Sequence, residues 1–276
     1  MMLHPGPLPP GLQTGGVLVR SSALQGVNVD FHGKPSHAGL APWAGVNALD
    51  AATVAYASIS TLRQQLKPEM RVHGIITDGG SAVNVIPAKT SMQYLVRGLT
   101  SKEVLHTTDR VLKCFEGAAV STGCTVETDV SDILDELRNE QTLGTEWAHV
   151  MQEMFGAMIQ LKYTETMGAS TDFGNITMKL PACHPMFGIP TTPGVFNHQP
   201  GFTAAAGSEP GFEEAIKSTA AMACVGVRYL LDEDFAIKVS MDVRQPLMVR
   251  FARVGRRRWT TLRRRSKNEI RILGAL

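Results

Sequence analysis

Val27, Val29 and Phe31 alternate with Asn28, Asp30 and His32, the two-residue period of a strand with one buried face. After Gly45 the period changes, and Val46, Leu49, Thr53, Tyr56, Ile59, Leu62 and Leu66 recur at helical spacing. Met70 to Thr77 and Thr90 to Arg97 are rich in strand formers and are separated by the turn signal Asp78-Gly79-Gly80. Thr100 and Glu103 form a T-x-x-E capping box. Val104, Leu105, Val111, Leu112, Phe115 and Ala119 supply the apolar face of the helix it opens, and Gly123 stops that helix before a strand at Cys124 to Val130. The order β-α-β-β-α-β predicts a ferredoxin-like unit over 26–130, an α+β sheet with two helices on one face.

From Ser131 the pattern changes character. Residues 133–159 carry mixed helical signals around Gly144, 171–180 read as a strand, and 181–201, dense in proline and glycine, read as an active-site loop. Residues 203–231 predict a cap and then a buried helix in which Ile216, Ala220, Ala223, Val227 and Leu230 share a face. So apolar a helix needs a sheet to cover, and 131–235 offer too few strands to build one. Part of an α/β layer is therefore expected to be missing from the chain. Residues 7–22 are loosely patterned as turn and short strand.

Composition adds boundaries to this picture. The 276 residues are 43% hydrophobic and 19% charged, the balance of a globular chain. Cys114, Cys124, Cys183 and Cys224 are scattered, without a C-x-x-C pair, which favours reduced thiols over a disulfide framework or thiolate metal site. Neither a leader pattern at M-M-L-H-P-G-P-L-P-P-G nor a long uncharged run is present, so a cytoplasmic setting is expected. The net charge of +2 hides an asymmetry. Residues 238–276 hold 12 Lys/Arg against Asp242 and Glu269, leaving 15 basic and 23 acidic residues for the rest. The segment 236–276 reads as a basic, solvated tail.

The richest candidate chemistry lies in G-K-P-S-H-A-G-L-A-P-W, where His37 sits on a strand-to-helix loop punctuated by glycine and proline. A backbone-satisfying role and a chemical one are both open for it. His32 and His73 fall in strands and His106 and His149 in helices, none with a partner at ligand spacing. His184, in A-C-H-P, stands beside Cys183, and a lone cysteine with no base is more often a small buried hydrophobe.

Taken together, G-K-P-S-H-A-G-L-A-P-W-A-G-V-N-A-L-D-A-A, G-I-I-T-D-G-G-S-A-V-N-V-I-P, the strand ending at Arg97, and the late S-T-D-F-G-N and F-N-H-Q-P-G-F resemble the zinc-dependent aminoacylase, carboxypeptidase and dipeptidase family, metallopeptidase family M-20. The likeness is nearest to its amidohydrolase-type dipeptidases, including the peptidase M-20 domain-containing protein 2 group, and runs from about Met1 to Phe235. It implies a catalytic α/β domain interrupted by a ferredoxin-like lid that forms the dimer interface. Residues 1–25 would be a remnant of the catalytic domain, 26–130 the lid, and 131–235 the closing part of the catalytic domain.

By the same resemblance, His37 matches a lid histidine that reaches the partner subunit's site and steadies the oxyanion. Asn84 and Arg97 match lid positions that hold substrate, His4 and His198 match metal ligands, and Asp172 resembles a carboxylate that supports the metal ligands from behind without binding the metal, with an N-cap or loop role equally open to it. The implied reaction is zinc-dependent hydrolysis of dipeptides or N-acyl amino acids by a two-metal site. The early metal motif and paired glutamates of the family are absent, and Glu213-Glu214 reads as a solvated helix start. The chain is therefore expected to be N-terminally truncated and inactive alone. Two alternatives stand beside this: a non-catalytic module that pairs through the lid, and an RNA-binding ferredoxin-like protein with a basic tail.

Overall fold

A computed structural model describes residues 1–8, 15–166 and 168–241. In chain order the strands and helices are β1 (His4–Leu8), β2 (Gly15–Arg20), β3 (Ala23–His32), α1 (Ala48–Leu62), β4 (Arg71–Asp78), β5 (Lys89–Gly98), α2 (Ser101–Thr122) and β6 (Thr125–Val130). There follow α3 (Gln141–Phe155), β7 (Ile159–Thr166), α4 (Phe173–Thr177), β8 (Met186–Pro190), α5 (Pro200–Ala206), α6 (Glu209–Leu231) and α7 (Glu233–Met241). No helix among the described residues is long and apolar enough to cross a membrane.

The first sheet has the order β4-β5-β3-β6, antiparallel throughout. Its elements β3-α1-β4-β5-α2-β6 follow the predicted β-α-β-β-α-β order. Both helix starts are built by side chains. Asn47 accepts from the amides of Leu49 and Asp50, and Thr100 accepts from Glu103 N. Gly123 closes α2 in the left-handed region at φ 75°, where a residue without Cβ is least strained. The helices cover one face. Ala48, Ala51, Ala52 and Ala55 are all fully buried, and their small side chains let α1 lie close against the sheet and α2. Phe115 meets Tyr94 and Phe31 edge-on at 5.5 and 6.3 Å in the centre of this core. Gly74 lies opposite Tyr94 in the register, and a Cβ there would stand 2.4 Å from the Tyr94 ring.

The second sheet has the order β1-β8-β2-β7. Only two of its four strands, at 159–166 and 186–190, come from 131–235; the other two, at 4–8 and 15–20, come from the segment before the first sheet. The Pro/Gly-rich run at 181–201 contains β8, whose Phe187 and Ile189 are buried. Residues 171–180 are helical turn rather than strand, with α4 at their centre. Helices α3 and α6 pack against each other, α3 over β2 and β7 and α6 over β8. Trp147, fully buried, fills the middle of this second core. Helix α7 runs to Met241 with Val239 1% exposed, so 236–241 join the core instead of the tail. The rest of the segment read as a tail, 242–276, lies outside the described residues.

The two sheets meet through a dense polar seam. Leu24 and Leu134 exchange backbone hydrogen bonds at 2.9 and 2.8 Å, Ser22 N donates to Ala169 O, and Leu137 N donates to Ser21 Oγ. Glu136, 9% exposed, accepts from Ser101 N at 2.8 Å and so ties the start of α2 to the segment after β6.

Candidate functional site

The outer end of the first sheet carries a tightly built loop. Lys34 and Val46 exchange backbone hydrogen bonds at its base, both 2.8 Å, and a Cβ at Gly33 would meet Val46 O at 2.1 Å. The loop then lies against 82–87: Ile86 N donates to Ser36 O, Ala38 N donates to Asn84 O, and His37 bridges Val85. His37 and Asn84 are thereby neighbours, both exposed. The His37 Nδ1 accepts from the amides of Gly39 and Leu40 at 3.2 and 3.1 Å. With Nδ1 filled as an acceptor, the neutral ring carries its proton on Nε2. The loop thus presents an aimed N–H donor, the chemistry that steadies a developing oxyanion.

Arg97 lies elsewhere. It sits at the inner end of β5, paired with Leu24 and Arg71, and its Nη1 donates to Ser170 Oγ at 3.0 Å and Gly168 O at 3.4 Å. Along β5 it is eight residues from Lys89, which lies at the end nearest His37. That separation is roughly 27 Å at the rise of an antiparallel strand. Within one chain, His37 and Arg97 cannot touch the same small molecule. Asn84 falls with His37, and Arg97 falls with the seam.

Close to the seam lie the remaining candidates. His4 is exposed on β1, and its Nδ1 contacts Pro5 O at 2.7 Å, which leaves Nε2 as the free lone pair. His198 is the one non-glycine residue with positive φ (68°) among the described residues, in the turn before α5. The neighbouring Asn197 Nδ2 donates to Pro5 O at 3.1 Å, which brings the two histidine segments together. Asp172 occupies the N-cap position of α4 without making a capping hydrogen bond.

Two residues were missed. Ser170 opens the S-T-D-F-G-N motif but was given no role of its own; it enters the site because Arg97 crosses the seam to reach it. His184 is 4% exposed, its ring 6.0 Å from His4 and 5.5 Å from Phe173, and its Nε2 has no hydrogen-bond partner among the described residues. Burial pushes its pKa down, opposed by the nearby Asp172 carboxylate. The H-P pair was its only signal.

A catalytic zinc typically needs about three protein ligands and an open position. Among the described residues, no group of three or more His, Cys, Asp or Glu could hold a metal ion. The described residues therefore do not fit a complete metal centre.

Cys183 behaves as its composition suggests. It is fully buried, and burial pushes its thiol up to about 12, with Glu140 adding to the shift. A thiol held neutral is unreactive. In the native protein a thiol-specific reagent is expected to label exposed Cys224 first and Cys183 only after unfolding. Labelling of Cys183 at the Cys224 rate, read by peptide mass spectrometry, would contradict this packing.

Comparison with known proteins gives the same outline. Residues 20–122 match the peptidase dimerisation domain of the M-20 family. The chain is 37% identical over 225 residues to the Xaa-Arg dipeptidase of Mus musculus, covering 80% of this chain and 50% of that protein. It is 34% identical over 255 residues to the Xaa-Arg dipeptidase of Homo sapiens, covering 87% and 56%. It therefore spans about half the length of these relatives. In fold, it resembles the aminobenzoyl-glutamate utilization protein from Klebsiella pneumoniae with a TM-score of 0.57 at 17% identity, covering 82% of this chain and 52% of that one.

Proposed function

Since the chain belongs to the M-20 amidohydrolase family, we propose that it supplies the lid and the closing part of the catalytic domain to a metal-dependent hydrolase of dipeptides or N-acyl amino acids. The observation that carries this is the division of the site. An N–H donor, His37, and Asn84 stand at one end of the lid sheet, and an arginine, Arg97, stands at the other, beside Ser170. One chain cannot use both on a single substrate, whereas two lids paired by a two-fold axis can exchange ends. The working form is thus a homodimer through residues 26–130, with 131–235 as the closing part of the catalytic domain.

In that assembly Arg97 takes the substrate carboxylate through paired hydrogen bonds, with Ser170 positioning the guanidinium. His37 of the opposite copy donates Nε2–H to the carbonyl oxygen as it gains charge, and Asn84 offers a further amide donor. His4 and His198 are imidazoles of the kind that suit zinc, and Asp172 lies close enough to His184 to bias the local field. The remaining ligands would come from outside the described residues. The four widely separated free cysteines support a cytoplasmic setting.

Ligand binding tests the arginine without requiring turnover. Isothermal titration of the whole chain with an N-acyl amino acid is expected to show binding that Arg97→Leu weakens about tenfold or more, the loss of a charge-assisted pair. Carboxamide-capped ligand should bind like the Arg97→Leu variant. Equal binding of the acid and its amide would overturn the assignment.

The lack of a three-ligand group among the described residues favours a second reading for the isolated chain, that of a non-catalytic module pairing through its lid. Elemental analysis of protein purified without chelators should then give less than one zinc per chain, with dimers by sedimentation. Stoichiometric zinc with dipeptide turnover would reject it in favour of a complete site.

A further inference from the structure

The outer end of the lid carries apolar side chains where a finished surface would carry charge. Leu40 and Trp43 are 73 and 83% exposed, and Val83 is fully exposed. Neither 35–49 nor 79–88 contains an Asp, Glu, Lys or Arg, although the chain as a whole is 19% charged. These are the two segments that hold His37 and Asn84. The apolar residues are also fixed in place. Leu40 N donates to His37 Nδ1 at 3.1 Å and Ala41 N to His37 O at 3.0 Å. Trp43 follows on the next turn, a single helical turn (Pro42–Ala44) that closes with Gly45 N donating to Pro42 O. A Cβ at Gly45 would stand 3.2 Å from the Ile86 side chain, so this turn is pressed against the 82–87 segment. Val83 precedes Asn84, whose carbonyl accepts from Ala38 N. An exposed tryptophan on a rigid, uncharged loop is the composition of a surface that something covers.

We propose that Trp43, with Leu40 and Val83, is the specificity surface for the acyl side of the substrate, and that it selects a bulky uncharged group there. The proposal rests on the reading above, in which Arg97 of one copy holds the carboxylate and His37 of the opposite copy meets the carbonyl oxygen. In an N-acylated amino acid the atoms run from carboxylate through α-carbon and amide nitrogen to the carbonyl carbon, and the acyl group follows. With the carboxylate and the carbonyl oxygen both fixed, the acyl group leaves the carbonyl carbon on the side away from Arg97. It therefore falls against the loop that supplies His37. What that loop offers is an indole and two aliphatic side chains, with no carboxylate or ammonium to pair with a charged group. An apolar acyl chain laid on them removes water from both surfaces. A charged one loses hydration and gains no partner. Trp43 touches no reacting atom in this arrangement, so its part is selection.

The test is a ligand series on the whole chain. N-acetyl-, N-butanoyl- and N-hexanoyl-alanine share one carboxylate and one amide and differ only in the acyl chain. Isothermal titration is expected to show binding that tightens roughly three- to fourfold per covered methylene. Trp43→Ala should flatten the series while leaving the N-acetyl affinity unchanged, and Trp43→Phe should keep most of the rise. Because Trp43 is exposed, the alanine variant should keep the circular dichroism and melting temperature of the parent. Tryptophan emission of the parent should move to shorter wavelength on saturation with the hexanoyl ligand, a shift absent from Trp43→Phe. A flat series in the parent, or a rise that survives Trp43→Ala, would overturn the proposal. So would dimers that weaken in Trp43→Ala, by sedimentation, with the series intact, which would assign the loop to the protein surface of the opposite copy. Arg97→Leu weakens every member alike, whereas Trp43→Ala acts on the long members only. Failure at Trp43 with the Arg97 effect present therefore strikes this proposal alone, and a chain that binds none of the acids strikes the reading and the proposal together.

Discussion

Trp147→Ala is expected to unfold the half of the molecule built on the second sheet while leaving the ferredoxin-like half folded. Trp147 is fully buried among α3, the second sheet and α6, and its indole Nε1 donates to Ser218 O at 3.2 Å. Truncating such a side chain removes its transfer free energy and leaves a cavity, a loss of about 3–5 kcal/mol. That is a large share of the 5–15 kcal/mol by which a whole domain is usually stable. Phe31, Tyr94 and Phe115, by contrast, form a separate core enclosed by both lid helices. Hydrogen exchange should show lost protection in α3, α6 and β8 with β3 and β5 still protected. The reciprocal variant Phe115→Ala should show the reverse. Simultaneous loss of both regions in either variant would mean that the polar seam at 20–24 and 131–137 couples the two cores into one cooperative unit, and the two-core description would fail.

The difference between the halves also explains what could be read from the chain. In the lid every signal is local. Val27, Val29 and Phe31 alternate, Thr100 and Glu103 cap, and Gly123 stops, so the elements follow from neighbours in sequence. The second sheet is assembled from segments far apart, and its strands are short. H-P-G-P-L and M-F-G-I-P lack alternation because proline and glycine occupy the positions that would show it, and their parallel pairing is a tertiary event. Thr171, Ile176 and Thr177 are β-branched and suggested a strand, yet the chain turns there into α4, with the carbonyls of Thr171 and Asp172 accepting from Gly174 and Asn175. For α6 the periodicity correctly found an apolar face. It could not tell which of two apolar faces would be covered. The candidate site divides in the same way: His37 announced itself by its loop, but its tautomer depends on the amides of Gly39 and Leu40, and Ser170 depends on an arginine more than seventy positions away.

In the assembled hydrolase, His37→Ala is expected to lower kcat by about 10²–10³-fold with little change in KM, the loss seen when one oxyanion donor is removed. Two further variants separate the two nitrogens. Asparagine can keep an acceptor near the Nδ1 position for the Gly39 and Leu40 amides but places no donor at the Nε2 position, so His37→Asn should be as slow as the alanine variant with the loop still protected from exchange. Glutamine reaches further and offers an amide donor near Nε2 while leaving those backbone amides without their acceptor. His37→Gln should therefore recover part of the rate and lose loop protection. If asparagine restored activity and glutamine did not, the histidine would be a loop fastener and the oxyanion role would fall. The separation of roughly 27 Å between the two ends of β5 adds a sharper test. Chains carrying His37→Ala and chains carrying Arg97→Ala are each inactive as homodimers under either geometry. Mixed at random, half of the dimers combine the two, and each of these holds one intact composite site, so about a quarter of the parent activity should return. No recovery would mean that each copy works with its own His37, which the distance along the strand does not permit for a substrate held by Arg97.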